Sequence, residues 1–143
     1  MTNEYRHIPV LLPECIEALH LSAGQTYVDA TLGGAGHSLE VAKHIGRTGH
    51  LIGIDQDAVA RKAARERLEA LPDDVRPEID VLDGNFGDLD SLLVAAQIPS
   101  IDAILFDLGV SSVQIDTPAR GFSFKETGPL DMRMDPSNQT LTA

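Results

Sequence analysis

The segment from Tyr27 to Asp55 constrains the fold of this chain more than any other. It contains an apolar run ending in Asp29, a glycine-rich turn at 33–36, a helical pattern and a second apolar run ending in Asp55. That order is typical of a strand–helix–strand unit with two parallel strands. A glycine turn lets the backbone approach a ligand closely, and an acid that closes the second strand can accept hydrogen bonds from ribose hydroxyls. The segment therefore predicts a nucleotide-type pocket.

The same alternation of strands and helices continues beyond this unit. Strands are predicted at 26–30, 51–54, 79–82 and 101–108, and Asp57 is a good N-cap for a helix that runs to about Ala70. The most hydrophobic run, Ile101 to Leu108, is predicted to be a central, fully buried strand. We therefore expect an α/β fold with about four parallel strands.

The pattern changes in the last part of the chain. Residues 111–143 contain no convincing strand or helix, and an irregular tail of that length is unusual in a compact domain. Pro136 to Ala143 have the composition of a turn and an N-cap that introduce a helix. We therefore expect residues 1–143 to be the N-terminal part of a longer domain, whose remaining strands are absent.

Charge and composition exclude several classes of protein. The chain carries 11 basic and 22 acidic residues, a net charge of −11, which argues against a nucleic-acid-binding surface spread over all of it. No apolar run approaches the ~20 residues of a membrane span. The single Cys15 fits a reducing cytoplasm. His7, His20, His44 and His50 show no metal-ligand spacing, so we expect no metal site. Together these features predict a cytoplasmic chain without a membrane contact.

Basic residues occur in two groups that could touch RNA. The first lies on the predicted helix after Asp57, where a solvated face is the better interpretation, and comprises Arg61, Lys62, Arg65 and Arg67. The second lies in the irregular tail and comprises Arg120, Lys125 and Arg133. These tail residues are the best candidates for RNA contacts within the chain.

Two cofactor classes fit the glycine turn to different degrees. A dinucleotide needs G-x-G-x-x-G, but no glycine occupies position 38 or 39. Enzymes that use S-adenosylmethionine often have an acid followed by a glycine turn, in the pattern [DE]-x-G-x-G-x-G. If Asp29 is that acid, Gly33 alone occupies one of the three glycine positions. Asp55 lies 19 residues after Gly36, close to the ~20 expected of a ribose contact. Because S-adenosylmethionine is a sulfonium cation without a pyrophosphate, the acids Asp29, Asp55 and Asp107 favour it over NAD.

Two further loops follow predicted strands and would border the same crevice. Phe86 comes just after the third strand and could form an apolar wall for adenine. Asp107 and Gln114 follow the fourth strand and could reach the methionine part of the ligand. Many amino-group methyltransferases carry [DN]-P-P-[YF] at this point, whereas this chain has DLGV from Asp107. The catalytic residue is therefore not assigned.

Six segments carry a family resemblance: HIPVLLPE, DATLGGAGHS, GIDQD, LFDLGVSSVQID, RGFSF and GPLDMRMDP. From His7 to Ala143 the chain resembles the ribosomal RNA small-subunit methyltransferase H family. The resemblance implies a Rossmann-like class I fold that transfers a methyl group from S-adenosylmethionine to the N4 amine of a cytidine in the decoding region of 16S rRNA. The cofactor-binding positions that it implies are Ala35, Gly36, His37, Asp55, Phe86, Asp107 and Gln114.

The resemblance also leaves alternatives open. Ala35 stands where many relatives have a glycine, and the family's helical substrate domain is not expected within these residues. One alternative is a truncated, non-catalytic fragment that binds S-adenosylmethionine; a small NAD-dependent oxidoreductase is the weaker one. The partner implied is 16S rRNA in the small ribosomal subunit, and an exposed strand edge could also support a homo-oligomer.

Overall fold

The computed structural model describes residues 11–109, 118–120, 128 and 134. The α-helices of this part are α1 (Leu12–Leu19), α2 (Gly36–Ile45), α3 (Ala58–Glu69) and α4 (Leu89–Ala95). Its strands are β1 (Thr26–Asp29), β2 (His50–Asp55), β3 (Glu78–Asp83) and β4 (Ala103–Leu105). Short 3₁₀ turns occupy Phe86–Asp88 and Pro118–Arg120.

The chain divides into two compact units, Met1–Asp107 and Leu108–Ala143. The first unit contains every α-helix and β-strand named above. In the described part of the second unit, the 3₁₀ turn ends at Arg120, whose guanidinium donates a hydrogen bond to the carbonyl of Met134 at 3.0 Å. None of the described helices is both long enough and apolar enough to cross a membrane.

The first unit is built on one parallel sheet with the strand order β3-β2-β1-β4. Val28 at the centre of β1 lies opposite Ile52 of β2 and Ile104 of β4. The chain adds β2 and β3 on one side of β1 and then returns to add β4 on the other. The strand order therefore reverses between β1 and β4, where open α/β sheets form a crevice at the carboxyl ends of the strands. The predicted partial Rossmann-like fold with four parallel strands is confirmed.

Alternating side chains of the strands supply two cores, one on each face of the sheet. Tyr27 and Leu51 face the helices α2 and α3, where they are buried with Ile45 and Leu68. On the opposite face, Val28, Ile52 and Ile54 are buried under α4 and the loop that follows it. Both faces of the central strands are thus covered, as a parallel sheet requires.

The prediction that Ile101 to Leu108 form a central, fully buried strand is wrong. In the described sheet β4 spans only Ala103–Leu105, is half-buried and lies at an edge, because it pairs with β1 on one side only. Ile101 packs on the second core from the preceding loop. Phe106 and Leu108 are exposed. The apolar residues of this run therefore lie in three different environments: a half-buried strand, a loop packed on the core and an exposed segment.

The helix boundaries follow local capping chemistry. Asp57 caps α3 as predicted, since its Oδ1 accepts a hydrogen bond from the N–H of Val59 at 3.0 Å. The helix ends at Glu69, one residue before the predicted end. Helix α2 ends at Ile45, just before Gly46, whose φ of +65° no ordinary helix residue adopts.

Candidate functional site

Acidic residues mark the carboxyl edge of the sheet. β1 ends at Asp29, β2 at Asp55 and β3 at Asp83, and Asp107 follows the end of β4 by two residues. Because the four strands are parallel, these residues meet at one edge of the sheet. The glycine turn and the start of α2 lie at the same edge, between β1 and β2. The topology therefore places the acids of the predicted pocket at one edge of the sheet.

The turn from β1 into α2 uses the left-handed backbone conformation twice. Gly33 has φ +51°, and Ala35, which immediately precedes α2, has φ +65°. Ala35 is nonetheless completely buried. Left-handed φ costs an alanine on the order of 1 kcal/mol, so the surrounding packing must hold Ala35 in place. The structure thus makes position 35 a natural site for a glycine.

Gly53 of β2 allows the turn to lie directly on the sheet. A Cβ atom built on Gly53 would lie 2.6 Å from the Cδ atoms of Leu32, which packs over it. The N–H of Leu32 also donates to the carbonyl of Ile54 at 3.0 Å. This close approach was not predicted, although an isolated glycine inside an apolar strand is a recognised signal for it.

Asp55 ties the glycine turn to the beginning of α3. Its Oδ2 accepts a hydrogen bond from the N–H of Gly33 at 2.9 Å, and its Oδ1 accepts one from the N–H of Asp57 at 2.8 Å. Burial raises the pKa of Asp55, while these two hydrogen bonds act in the opposite direction. A carboxylate offers about four acceptor positions, so Asp55 retains the capacity to accept from ligand hydroxyls.

Asp29 is almost completely buried and forms hydrogen bonds to residues on both sides of the glycine turn. Its Oδ2 accepts the hydroxyl hydrogen of Ser38 at 2.7 Å, and its Oδ1 accepts the N–H of Thr31 at 3.2 Å. Burial raises the pKa of Asp29 to about 6; the two hydrogen bonds lower it, and the charges of Asp55 and Asp107 add to the rise. Asp29 therefore connects β1 to the first turn of α2 and contributes negative potential from the interior.

His37 and Asp107 approach each other across the crevice. Nδ1 of His37, which is buried in the first turn of α2, lies 3.9 Å from Oδ2 of Asp107, whose side chain is 61% exposed. The N–H of Asp107 donates to Oγ1 of Thr31 at 2.6 Å and so fixes the segment after β4 against the end of β1. The structure thus brings together four of the predicted positions: Ala35, Gly36, His37 and Asp107.

Two arginines of α3 reach the carboxyl edge, which corrects the prediction of a solvated face. Arg61 donates from Nη1 to the carbonyl of Asp55 at 2.9 Å and to Oδ1 of Asp83 at 3.0 Å. Arg67 donates to the carbonyl of Gly34. Arg61 lies one helical turn after the N-cap Asp57, which places it over the strand ends. Sequence alone could not show this, because it depends on how α3 crosses the sheet.

Phe86 lies at the same carboxyl edge of the sheet, on the loop after β3. Its side chain is 42% exposed, and its ring meets that of Phe106 edge to face, with 5.8 Å between the ring centroids. The side chain of Asn85 accepts the N–H of Gly87 at 2.8 Å and so caps the short turn that carries Phe86. Phe106 was not predicted as a site residue, because the sequence placed it inside a buried strand.

Several predicted positions lie outside the described residues. They include Gln114 and the basic residues Lys125 and Arg133. Their roles stay predictions. Arg120 is described within the second unit, where it contacts the backbone of Met134.

A separate polar cluster lies at the opposite, amino edge of the sheet. His50, Glu78 and Asp80 bring one possible ligand atom each within 4.8 Å of the others, and Nε2 of His50 lies 2.7 Å from Oδ2 of Asp80. The parallel register places His50 opposite Glu78, although 28 positions separate them in the sequence. Linear spacing of histidines therefore could not reveal this grouping, and the His50–Asp80 hydrogen bond accounts for its closest approach.

Comparisons with known proteins identify relatives of this chain. The chain is 50% identical over 138 residues to ribosomal RNA small subunit methyltransferase H of Mycoplasma mycoides, covering 96% of this chain and 43% of that protein. It is 46% identical over 144 residues to the Koribacter versatilis protein of the same name, covering 99% of this chain and 45% of the relative. The chain therefore spans less than half the length of these curated relatives.

The fold also resembles a solved structure. A candidate rRNA-methylase from Clostridium thermocellum matches with a TM-score of 0.61 and 21% sequence identity, over 73% of this chain and 54% of that one. Because the sequence identity is only 21%, this likeness supports the fold alone. A model of the MraW methylase family matches residues 4–143, nearly the whole sequence. The chain therefore belongs to the MraW methylase family, which uses S-adenosylmethionine as its methyl donor.

Proposed function

We propose that this chain is the cofactor-binding part of a methyltransferase that modifies the N4 amine of a cytidine in the decoding region of 16S rRNA. The observation that carries the proposal is family membership over residues 4–143, together with relatives named ribosomal RNA small subunit methyltransferase H. A cytoplasmic location and the small ribosomal subunit as partner belong to the same proposal, since that is where the substrate occurs.

The arrangement of the carboxyl edge supports S-adenosylmethionine as the ligand. Asp29, Asp55 and Asp107 place three carboxyl groups at this edge, and negative charge there favours a sulfonium cation over a dianionic dinucleotide. We assign the ribose hydroxyls to Asp55 and the adenine to the exposed ring of Phe86. The methionine half is assigned to the positions around the turn and after β4: Ala35, Gly36, His37, Asp107 and, from the resemblance, Gln114.

Methyl transfer to a cytidine amine is an in-line displacement. Bound S-adenosylmethionine would supply the methyl group: its methyl–sulfur bond would break as the bond to N4 forms, N4 would pass a proton to water, and S-adenosylhomocysteine would leave. The N4 lone pair is delocalised into the ring, so a hydrogen-bond acceptor must hold the amine in a reactive geometry. Most of the rate enhancement is then positioning, and the cytidine has to leave its stack to reach the methyl group.

Asp107 is the described acceptor best placed for this task. Its carboxylate is exposed at the mouth of the crevice, and its backbone is anchored to Thr31. The resemblance also implies that Asp107 contacts the cofactor, so its carboxylate is not proposed as the catalytic group.

A second candidate function is cofactor binding without turnover. It is favoured by the coverage of 43% of the length of the curated relatives. Under this alternative residues 1–143 bind the cofactor without transferring its methyl group. We expect binding of the cofactor and no methyl transfer by residues 1–143 alone.

Calorimetric titration tests the cofactor. Heat released with S-adenosylmethionine or S-adenosylhomocysteine, and none with NAD, is the expected result. Failure of both methyl-cycle ligands to bind would overturn the proposed function in either form, and binding of NAD instead would favour an oxidoreductase.

Methyl transfer tests the choice between the two forms. Tritiated S-adenosylmethionine is incubated with the chain and 30S subunits that lack the modification, and the rRNA is digested to nucleosides. Label in N4-methylcytidine would support a complete catalytic unit, whereas binding without label would support the cofactor-binding fragment. Label in a different nucleoside would contradict the proposed substrate.

A further inference from the structure

Two half-exposed aromatic rings meet at the carboxyl edge of the sheet. Phe86 follows β3 and Phe106 follows β4, and their side chains are 42% and 44% exposed. Their planes are inclined at 86°, with 5.8 Å between the centroids, which is an edge-to-face pair. Aromatic residues make up only 4% of the sequence. Two of them exposed and in mutual contact at the mouth of a crevice leave apolar surface available to a flat ligand.

The two rings are not equally well anchored by their own backbones. Phe106 lies between Leu105, which pairs with Asp29 in the sheet, and Asp107, whose N–H is bonded to Thr31. Phe86 begins a three-residue turn that is held by the side chain of Asn85. The sheet and the Thr31 hydrogen bond therefore fix the backbone on both sides of Phe106, and the ring of Phe86 packs against the Phe106 ring.

We infer that Phe106 is a positioning residue for the adenosyl half of the cofactor, acting by holding the ring of Phe86 in the orientation that receives a purine base. This rests on the proposed function, because it concerns the same pocket. Purine rings present large polarisable faces that pack well against aromatic side chains. At the same carboxyl edge, Arg61 joins the carbonyl of Asp55 to the carboxylate of Asp83.

Affinity for S-adenosylhomocysteine tests the inference. Phe106→Leu keeps an apolar side chain but removes the edge-to-face contact, which is worth on the order of a three- to tenfold change in Kd. We expect that loss by calorimetry, and near-normal affinity for Phe106→Tyr. Val94→Ala is the matched control, because Val94 is an exposed apolar residue on α4; its Kd should equal that of the unsubstituted chain.

A double-mutant cycle separates positioning from a merely structural role. If Phe106 acts through Phe86, Phe106→Leu should change the Kd far less in a Phe86→Leu background than in the native one. Independent effects would instead multiply. Thermal denaturation of the native chain and the three variants of the cycle checks that any loss of affinity does not follow from unfolding.

A spectroscopic readout follows from the composition of the chain. It contains no tryptophan, so Phe106→Trp introduces a single indole beside Phe86. S-adenosylhomocysteine should quench or shift its emission, whereas free homocysteine, which lacks the base, should not. Val94→Trp should respond to neither ligand.

The outcomes distinguish the two claims. If the unsubstituted chain binds no S-adenosylhomocysteine, the proposed function and this inference both fall. If it binds, but Phe106→Leu leaves the Kd unchanged or the cycle shows independent effects, only the inference falls. Should Phe106→Leu not fold, the emission of Phe106→Trp decides, and an indole that ignores the ligand would overturn the role of position 106.

Discussion

At the scale of single residues, Asp55 connects the structure to the proposed ligand. Its carboxylate holds both Gly33 and the start of α3, and we assign its remaining acceptor positions to ribose hydroxyls. We expect Asp55→Ala to weaken binding of S-adenosylhomocysteine by about 1–3 kcal/mol, the cost of losing a charged hydrogen bond. Calorimetry measures it. Asp80→Ala, at the amino edge of the same sheet, is the control, and equal losses in both variants would contradict a local role for Asp55.

Asp29 should make the stability of the fold depend on pH. Its pKa rises from 3.8 in the unfolded chain to about 6 in the folded one. Between about pH 4 and 6 the folded state therefore binds a proton that the unfolded state has released, and the free energy of unfolding falls as the pH rises. The effect is about 1.4 kcal/mol for each pKa unit. Urea denaturation at several pH values should show this slope, and Asp29→Asn should flatten it; an unchanged slope would exclude Asp29 as its source.

At the scale of elements, the contact between the glycine turn and β2 depends on Gly53. Gly53→Ala would place a methyl carbon 2.6 Å from the Cδ atoms of Leu32, so the Leu32 side chain would have to shift. We expect a loss of about 1–3 kcal/mol of unfolding free energy, the usual cost of overpacking. Leu32→Ala makes room for that methyl group. The double variant should therefore be less destabilised than the sum of the two single changes, and simple additivity would count against the predicted clash.

Helix α3 offers a matched pair of cations that differ in what they contact. Arg61 joins the ends of β2 and β3, whereas its neighbour Lys62 is exposed. Arg61→Ala should loosen the loop that carries Phe86, with an affinity loss for S-adenosylhomocysteine of about 1 kcal/mol, in the range of one net hydrogen bond. Lys62→Ala should leave both affinity and stability unchanged. Equal effects of the two substitutions would indicate that only the overall charge matters.

At the scale of the whole molecule, the charge of −11 sets the expected interaction with RNA. Binding to phosphate backbones depends on clustered cations and falls steeply with salt. We expect the 143-residue chain, in the presence of S-adenosylhomocysteine, not to retain a 16S rRNA fragment of the decoding region in a gel shift at about 150 mM salt. Specific retention of that fragment, with an unrelated RNA of equal length released, would show that these residues contain a substrate surface.

Sequence-local features carried most of what could be predicted. Asp57 as an N-cap and the acids at the ends of β1 and β2 are decided by residues within a few positions of each other, where capping and turn chemistry act. The alternation of apolar runs likewise identified a parallel sheet, and the glycine turn predicts a pocket at its carboxyl edge. These features determined the fold class and, with the family motifs, the ligand.

Only the tertiary structure decided which distant residues meet. Phe106 touches Phe86, Arg61 reaches Asp83, and His50 faces Glu78, because strand register and the direction of each crossover bring together positions 20 or more residues apart. The edge position of β4 has the same origin, since hydrophobicity reports burial without saying whether a strand, a loop or a ligand-facing ring causes it. Local chemistry thus determined what the elements are, and packing decided what they present to one another.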